Sequence, residues 1–264
     1  MHAHGDDFIV VDLRGQVDPI TSEVARCLGD RHRGIGFNQL AILLDCDDAA
    51  ARIRFWNSNG SMLDTCGSAT RGVADMLMRE TQASSVVLRT NRGLLTCARV
   101  SGQGISVDMG KPLLHWQDVP LAQAMGTHLL PLPGSPTACS MGNPHCTFFV
   151  DDLTQVDVAG IGAKTEIDPL FPNKTNVHFV QVIDRRHIRL RIWERGGGIP
   201  LGSGSCCCGA VVGGIRRGLL DDTVEVACDG GTVTVQWDGV GGVVLTGVVE
   251  PIFHGTIASH FLQT

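Results

Sequence analysis

The chain of 264 residues carries an internal repeat, which limits its possible folds more than any other feature of the sequence. RIRFWN, residues 52–57, resembles RLRIWE, residues 189–194, at an offset of 137 positions. Both segments alternate basic and apolar residues, which predicts strands with one buried face. A repeat of this length predicts two similar structural units along the chain.

Further matches fall at the same offset. They are Cys66-Gly67 with Ser203-Gly204, GDDFIVVD from Gly5 with GNPHCTFF from Gly142, and Gln39 with Asn176. Four coincidences at one offset indicate a duplicated unit rather than chance similarity.

Each half reads as two apolar strands, the tryptophan strand, a glycine turn, a helix and three shorter strands. Val73, Met76 and Leu77 have helical spacing, and GSCCCGAVVGGI is small and apolar, as in a helix covered on most sides. We predict an α+β fold of two pseudo-symmetric domains, each a β-rich, barrel-like sheet wrapped round a central helix. The predicted domains are residues 1–112 with a C-terminal strand over 251–264, and residues 113–250.

Composition excludes several classes of function. The formal net charge is -6 and no basic stripe carries aromatic residues, so we expect no nucleic-acid partner. No apolar run reaches about 18 residues and the N-terminus is polar, so we expect no membrane association and a cytoplasmic location. The ten cysteines lack a paired CxxC spacing, so we expect neither a metal site nor a disulfide framework, and Cys206, Cys207 and Cys208 read as apolar filling.

Cys66 and Ser203 both precede a predicted helix. Free amides and the positive end of the helix dipole bind carboxylates there and lower the pKa of a thiol. Two such termini suit removal of a Cα proton on one face and its return on the other. The simpler alternative is that the glycine-rich turns only cap the two helices.

Other polar residues lie beside these turns. His145 and Glu194 have side chains suited to assisting proton transfer, and Arg195 suits a second carboxylate. Asn57, Asn143 and Asn176 offer donors and acceptors for a zwitterion, although any single asparagine is also a common turn residue.

The residues resemble those of the diaminopimelate epimerases, a family of cofactor-free amino-acid epimerases. HAHGDDF, DRHRGIGFNQL, FWNSNGSMLDTCGSATR, SMGNPHC, LFPNKTNVHFVQV and WERGGG are similar to family blocks in the same order. The resemblance implies two pseudo-symmetric domains with the active site in the cleft between them. It also implies a homodimer, a small-molecule amino-acid substrate and no cofactor.

The resemblance assigns roles residue by residue. The first catalytic cysteine falls on Cys66 and the second on Ser203, with His145 and Glu194 as assisting groups. Helix-start amides would hold the α-carboxylate and Arg195 with the asparagines would hold the distal end of the substrate. The implied substrate-binding residues are Asp6, Gln39, Asn57, Gly67, Ser68, Asn143, Asn176, Glu194, Arg195, Gly204 and Ser205.

Three positions depart from the family pattern. Asp6 and Ser68 stand where the family has asparagine, and Ser203 stands where it has cysteine. Shifting the alignment to recruit Cys206 would break the offset of 137 and place that thiol one turn into the helix. An alcohol is a poor base without a partner, so activation of Ser203 by His145 would sustain only a slower epimerisation.

The sequence therefore predicts an isomerase that interconverts L,L- and meso-diaminopimelate in lysine biosynthesis. Two alternatives stay open. One is a one-base lyase, isomerase or racemase that uses Cys66 on a different amino acid, and the other is a non-catalytic paralogue that binds amino acids.

Overall fold

The computed structural model describes residues 1–262 and divides the chain into two compact units. Unit 1 comprises Met1–Val107 and the C-terminal segment from Gly247, and unit 2 comprises Asp108–Thr246. Each unit is a mixed α+β structure, as the sequence predicts.

Unit 1 contains eight strands and two α-helices among its described residues. They are β1 (His2–Ala3), β2 (Asp6–Asp12), α1 (Ser22–Gly29), β3 (Gln39–Leu44), β4 (Ala51–Asn57), β5 (Met62–Leu63), α2 (Gly67–Thr81), β6 (Ser85–Thr90), β7 (Gly93–Val100) and β8 (Gly104–Asp108). The strand order is β1-β2-β3-β4-β6-β7-β8, with β5 paired to β4. Helix α2 contacts β1, β2 and β3 as well as β6 and β7, so the sheet curls round it.

Unit 2 has the same plan. Its elements are β9 (Thr137–Ser140), β10 (Pro144–Val150), α3 (Val158–Glu166), β11 (Asn176–Asp184), β12 (His187–Trp193), α4 (Gly204–Arg216), β13 (Thr223–Cys228), β14 (Gly231–Gln236) and β15 (Val244–Gly247). The strand order is β9-β10-β11-β12-β13-β14-β15. Helix α4 contacts β9, β10, β11, β12 and β14, so strands towards both ends of this sheet also meet one helix.

Strand pairing reproduces the sequence repeat. Phe8 pairs with Gln39 between parallel strands β2 and β3, and His145 pairs with Asn176 between β10 and β11. Each residue of the second pair lies 137 positions after its counterpart, and so do the first residues of α2 and α4. The duplication therefore extends to the register of the sheets.

The tryptophan strand of unit 2 follows the predicted alternation, whereas in β4 the consecutive residues Phe55 and Trp56 are both buried. In β12, Ile188, Leu190 and Ile192 are buried, whereas Arg189 and Arg191 are partly exposed. Alternation places one face of a strand on the core, which the hydrophobic effect stabilises by about 25 cal/mol per Å² of apolar surface removed from water.

Two short helices, α1 and α3, were not predicted from the sequence. Each has a polar N-cap: Thr21 accepts a hydrogen bond from the Val24 amide, and Asp157 accepts one from the Gly160 amide. Such N-caps are the local signal that the sequence offered for both helices.

The predicted C-terminal strand is not observed in the described residues. His2 and Glu250 form an isolated bridge, residues 251–258 form no regular structure, and 259–262 form a 3₁₀ turn. Ile252 and Phe253 are more than half exposed, so no core contact holds them in a sheet. Residues 263–264 of the predicted strand lie outside the described part of the chain.

Across residues 1–262, none of the helices is both long and apolar enough to span a bilayer.

Candidate active site

Cys66 is the N-cap of α2. Its Sγ accepts a hydrogen bond from the Ala69 amide at 3.4 Å and lies 3.8 Å from Gln39 Oε1, to which the thiol donates. The side chain is only 9% exposed. The thiol is therefore held at a helix N-terminus by one backbone donor and one side-chain acceptor.

Gln39, which accepts from the Cys66 thiol, pairs with Asn57 across β3 and β4, so a second predicted binding residue adjoins Gln39. The Asn57 amide donates to Ser61 Oγ at 3.0 Å and stabilises the turn that follows β4. Gly67 and Ser68 are the first residues of α2, and their amides belong to the unpaired N–H groups of a helix start.

Asp6 begins β2 and is buried. Its Oδ1 accepts a hydrogen bond from Asn38 Nδ2 at 3.0 Å, and its carboxyl group also bonds with the Ser68 hydroxyl. Burial raises the pKa of Asp6 above its ordinary value, against the opposing effect of these two hydrogen bonds. A protonated Asp6 offers an O–H donor, much as the asparagine of the family pattern offers an N–H donor.

Ser203 is the N-cap of α4 but makes no side-chain cap bond. Its hydroxyl instead donates to Glu194 Oε1 at 3.0 Å. The sequence analysis proposed His145 as the group that activates Ser203. In the structure the hydrogen-bond partner of Ser203 is Glu194 instead. Gly204 and Ser205 open α4 as Gly67 and Ser68 open α2.

A tight turn after β12 positions Glu194 and Arg195. Backbone bonds between Glu194 and Gly198 close this turn. Glu166 at the end of α3 holds it in place, since its carboxylate accepts from Trp193 Nε1 at 2.7 Å and from the Gly196 amide at 3.1 Å. Sequence reasoning missed Glu166 because no motif surrounds it.

Asn176 supports the same turn. Its Oδ1 accepts from the Arg195 amide at 2.9 Å, and its Nδ2 donates to the Pro144 carbonyl at 2.9 Å. Arg195 is exposed, and its guanidinium donates to the Asn173 carbonyl at 3.3 Å. Asn176 therefore fixes the backbone that presents Arg195.

His145 lies in a buried chain of hydrogen bonds. Its Nε2 is 2.9 Å from Asn143 Oδ1 and its Nδ1 is 3.1 Å from His178 Nε2. The chain continues from His178 Nδ1 to Thr147 Oγ1 at 3.0 Å, and at its other end Asn143 donates to Ser205 Oγ at 3.4 Å. This chain fixes the orientation of both imidazole rings.

The predicted site residues thus form one cluster in each unit. The unit 1 cluster is Asp6, Gln39, Asn57, Cys66, Gly67 and Ser68, and the unit 2 cluster is Asn143, His145, Asn176, Glu194, Arg195, Ser203, Gly204 and Ser205. Each cluster combines a helix N-terminus, which binds anions, with a side chain able to take part in proton transfer.

Comparison with known proteins identifies the family of the chain. The diaminopimelate epimerase family model matches residues 1–114 and 137–252. A diaminopimelate epimerase from Acidiphilium cryptum is 43% identical over 266 residues, which cover 99% of this chain and 96% of the relative. A diaminopimelate epimerase from Gluconobacter oxydans is 43% identical over 260 residues, which cover 98% and 97% of the two chains.

Solved structures resemble the fold at low sequence identity. A hydroxyproline epimerase from Agrobacterium vitis aligns with a TM-score of 0.65 at 16% identity, over 94% of this chain and 86% of that one. A phenazine biosynthesis protein of the PhzF family from Bacillus anthracis aligns with a TM-score of 0.63 at 17% identity, over 90% and 89%. Because the family model matches most of the chain, the chain belongs to the diaminopimelate epimerase family of isomerases.

Proposed function

We propose that the protein interconverts L,L- and meso-diaminopimelate by removing the Cα proton and returning it to the opposite face. The observation that carries this proposal is the hydrogen bond from Ser203 to Glu194, because it gives the alcohol an acid-base partner. Two-base epimerisation needs one proton-transfer group for each face of Cα. Cys66 is the group in unit 1, and Ser203 with Glu194 is the group in unit 2.

Cys66 works as a thiolate when it accepts the Cα proton and as a thiol when it donates a proton. The Ala69 amide and the N-terminus of α2 stabilise negative charge on Sγ. The Gln39 carbonyl accepts from the protonated thiol. The same surroundings therefore support both protonation states that a reversible reaction requires.

Ser203 works as a relay for Glu194. In one direction the Ser203 hydroxyl gives its proton to the Glu194 carboxylate as its oxygen accepts the Cα proton. In the other direction Ser203 protonates the Cα carbanion and recovers a proton from the Glu194 carboxylic acid. Glu194 supplies the acid-base capacity because a serine hydroxyl has no accessible charged form near neutral pH.

The remaining residues are assigned to binding. The α-carboxylate suits the helix-start amides at Gly67, Ser68, Gly204 and Ser205. The same amides would stabilise the negative charge that spreads onto this carboxylate when Cα loses its proton. Exposed Arg195 suits the distal carboxylate of a dicarboxylic amino acid. This combination favours diaminopimelate over an amino acid with an apolar side chain.

Incubation with L,L-diaminopimelate in D₂O tests the proposal, with Cα deuterium and stereochemistry followed by NMR. Deuterium incorporation with inversion supports it. Exchange with retained configuration, or an unsaturated or keto product, supports one-base chemistry, which the missing second thiol also favours. Binding without any exchange supports a non-catalytic paralogue.

Several finer properties belong to the same proposal. We infer from family membership that the protein is a cytoplasmic homodimer that acts without a cofactor. We further propose residues 1–112 with the C-terminal segment, and 113–250, as its domains. Light scattering tests the assembly, and activity after exhaustive dialysis against a chelator tests the independence from cofactors.

A further inference from the structure

Two fully buried histidines lie side by side under helix α4. Thr147 on β10 pairs directly with His178 on β11, so these two side chains lie on the same face of the sheet. His145 lies two residues before Thr147 on β10 and therefore shares that face. Both rings are 0% exposed, and their centroids are 5.0 Å apart. Neutral imidazole is the commonest metal ligand among protein side chains, so a buried pair of imidazoles is a candidate metal site.

Helix α4 brings a thiol to this pair. The Cys206 Sγ, His145 and His178 ligand atoms all lie within 4.8 Å of one another, and Cys206 is fully buried. This contact could not be predicted from the sequence, because Cys206 belongs to a triplet of adjacent cysteines that do not share one direction. Cys207, for example, has its Sγ 3.5 Å from that of Cys228.

We propose that His145 Nδ1, His178 Nε2 and Cys206 Sγ form a binding site for a thiophilic d¹⁰ cation, Zn²⁺ or Cu⁺. Two imidazoles and a thiolate are a donor set that these ions prefer. The ion would join α4 to β10 and β11 and so fix the first turn of the helix behind Ser203.

The spacing of the two nitrogens suits one zinc ion once the rings turn from their mutual hydrogen bond towards it. Nδ1 of His145 and Nε2 of His178 are 3.1 Å apart. Both can therefore lie about 2.0–2.1 Å from one zinc ion at an angle of about 100°, close to tetrahedral. The Cys206 sulfur lies within 4.8 Å of both nitrogens. A tetrahedral site places sulfur and nitrogen about 3.6 Å apart, so the Cys206 side chain moves towards the ion on binding, and a hydroxyl or water would complete the coordination.

The outer nitrogens already have the partners that metal-bound histidines need. Asn143 Oδ1 lies 2.9 Å from His145 Nε2, and Thr147 Oγ1 lies 3.0 Å from His178 Nδ1. Metal-ligating histidines usually donate their second N–H to a carbonyl or similar acceptor, which fixes the ring. Rotation of the Thr147 hydroxyl turns it from donor to acceptor, so the His178 tautomer can change without movement of the backbone.

The protonation states are also suitable. Burial lowers the pKa of His178 to about 3, so the ring is neutral, as a ligand must be. Burial, with the nearby Glu194 charge, raises the pKa of Cys206 well above its ordinary value, so binding must displace the thiol proton to solvent. The Ser205 hydroxyl bonds to this sulfur and favours the thiolate that forms, whereas the Ser203 proton is already donated to Glu194.

Metal analysis tests the site directly. The protein is produced in zinc-supplemented cells, because buried donors are best loaded during folding, and is purified without chelator for mass spectrometry. We expect about one zinc ion per chain in the parent protein and nearly none in Cys206→Ala. Replacement of bound zinc by Co²⁺ is expected to give thiolate-to-metal charge-transfer absorption that Cys206→Ala lacks.

Two matched controls separate this site from others. Cys207→Ala removes the neighbouring buried thiol of the same helix, and His187→Ala removes an exposed histidine that lies beside Asp184 and Glu225. Both variants should retain parental zinc. A metal-free parent protein, or equal zinc in the parent and in folded Cys206→Ala, would overturn the proposal. Neither result depends on epimerase activity, so the proposed function is tested separately.

Discussion

The hydroxyl of Ser203 donates to Glu194 Oε1 at 3.0 Å although Ser203 occupies the N-cap of a helix. Serine is among the preferred N-cap residues because its oxygen accepts a backbone N–H at the helix start. At the equivalent position in unit 1, the Cys66 sulfur does accept such a bond. The Ser203 side chain therefore bonds to an acid-base partner and does not cap the helix.

Ser203→Cys should raise the epimerase kcat, by about 10²-fold or more, because a thiol titrates much nearer to neutral pH than an alcohol. Ser203→Ala should have a lower kcat than the parent, since it removes the hydroxyl that relays the proton. Steady-state kinetics with L,L-diaminopimelate gives the order of the three proteins. Equal rates for alanine and serine would show that residue 203 carries no proton.

Glu194→Gln should slow inversion, with a loss on the order of 10²–10⁴-fold in kcat, because glutamine accepts the Ser203 hydrogen bond but no proton. Exchange catalysed by Cys66 should persist, so deuterium would enter one stereoisomer without inversion. NMR in D₂O distinguishes the two events.

The combination Ser203→Cys with Glu194→Gln completes this test. The thiol can titrate without help, so the loss caused by Glu194→Gln should be smaller in the cysteine background. An equal loss in both backgrounds would contradict the relay and would assign Glu194 a different role, since coupled residues show non-additive effects.

Asp6→Asn should stabilise the protein near neutral pH. The folded state raises the pKa of Asp6, so it binds that proton more tightly than the unfolded chain does. The stability of the parent is therefore fully present below the ordinary pKa of about 3.9 and declines as the pH rises through the raised value. Asparagine keeps the carbonyl that accepts from Asn38 and removes this decline.

Thermal unfolding of the parent and Asp6→Asn across the acidic to neutral range measures the effect. The advantage of Asp6→Asn should grow as the pH rises from the acidic to the neutral range. Asp47→Asn is a suitable control, because Asp47 is exposed and is not among the groups that shift the pKa of Asp6. A difference between Asp6→Asn and the parent that does not vary with pH would contradict the titration of Asp6.

The internal repeat made the two helix starts and the pairing of the strands predictable from the sequence. Cys66 and Ser203 are placed at two helix starts because one offset relates them, and the paired strands follow the same offset. Strand alternation and helix starts depend on neighbouring residues, so they can be recognised in a single sequence.

The partners of these residues depend instead on packing between distant segments. Glu166 meets Trp193 only because α3 packs on β12, and Cys206 meets His145 only because α4 covers β10. No local pattern records such contacts. The C-terminal strand was mispredicted for a related reason: Ile257, Phe261 and Leu262 pack against the core without forming a strand, and Phe261 and Leu262 do so from a 3₁₀ turn.

The contact between α4 and the histidine pair depends on Gly209. A Cβ on Gly209 would lie 2.9 Å from His145 Cγ and 3.1 Å from His178 Cε1, so Gly209→Ala should force the helix away from the sheet. We expect a loss of about 1–3 kcal/mol in the free energy of unfolding. Gly213→Ala, one turn later, is the matched control. Its Cβ would lie 3.5 Å from Thr147 Cβ, an ordinary contact, and alanine is the better helix former by about 1 kcal/mol. Denaturant unfolding should therefore separate the two variants in opposite directions, and a stable Gly209→Ala would contradict the close packing of α4 on His145.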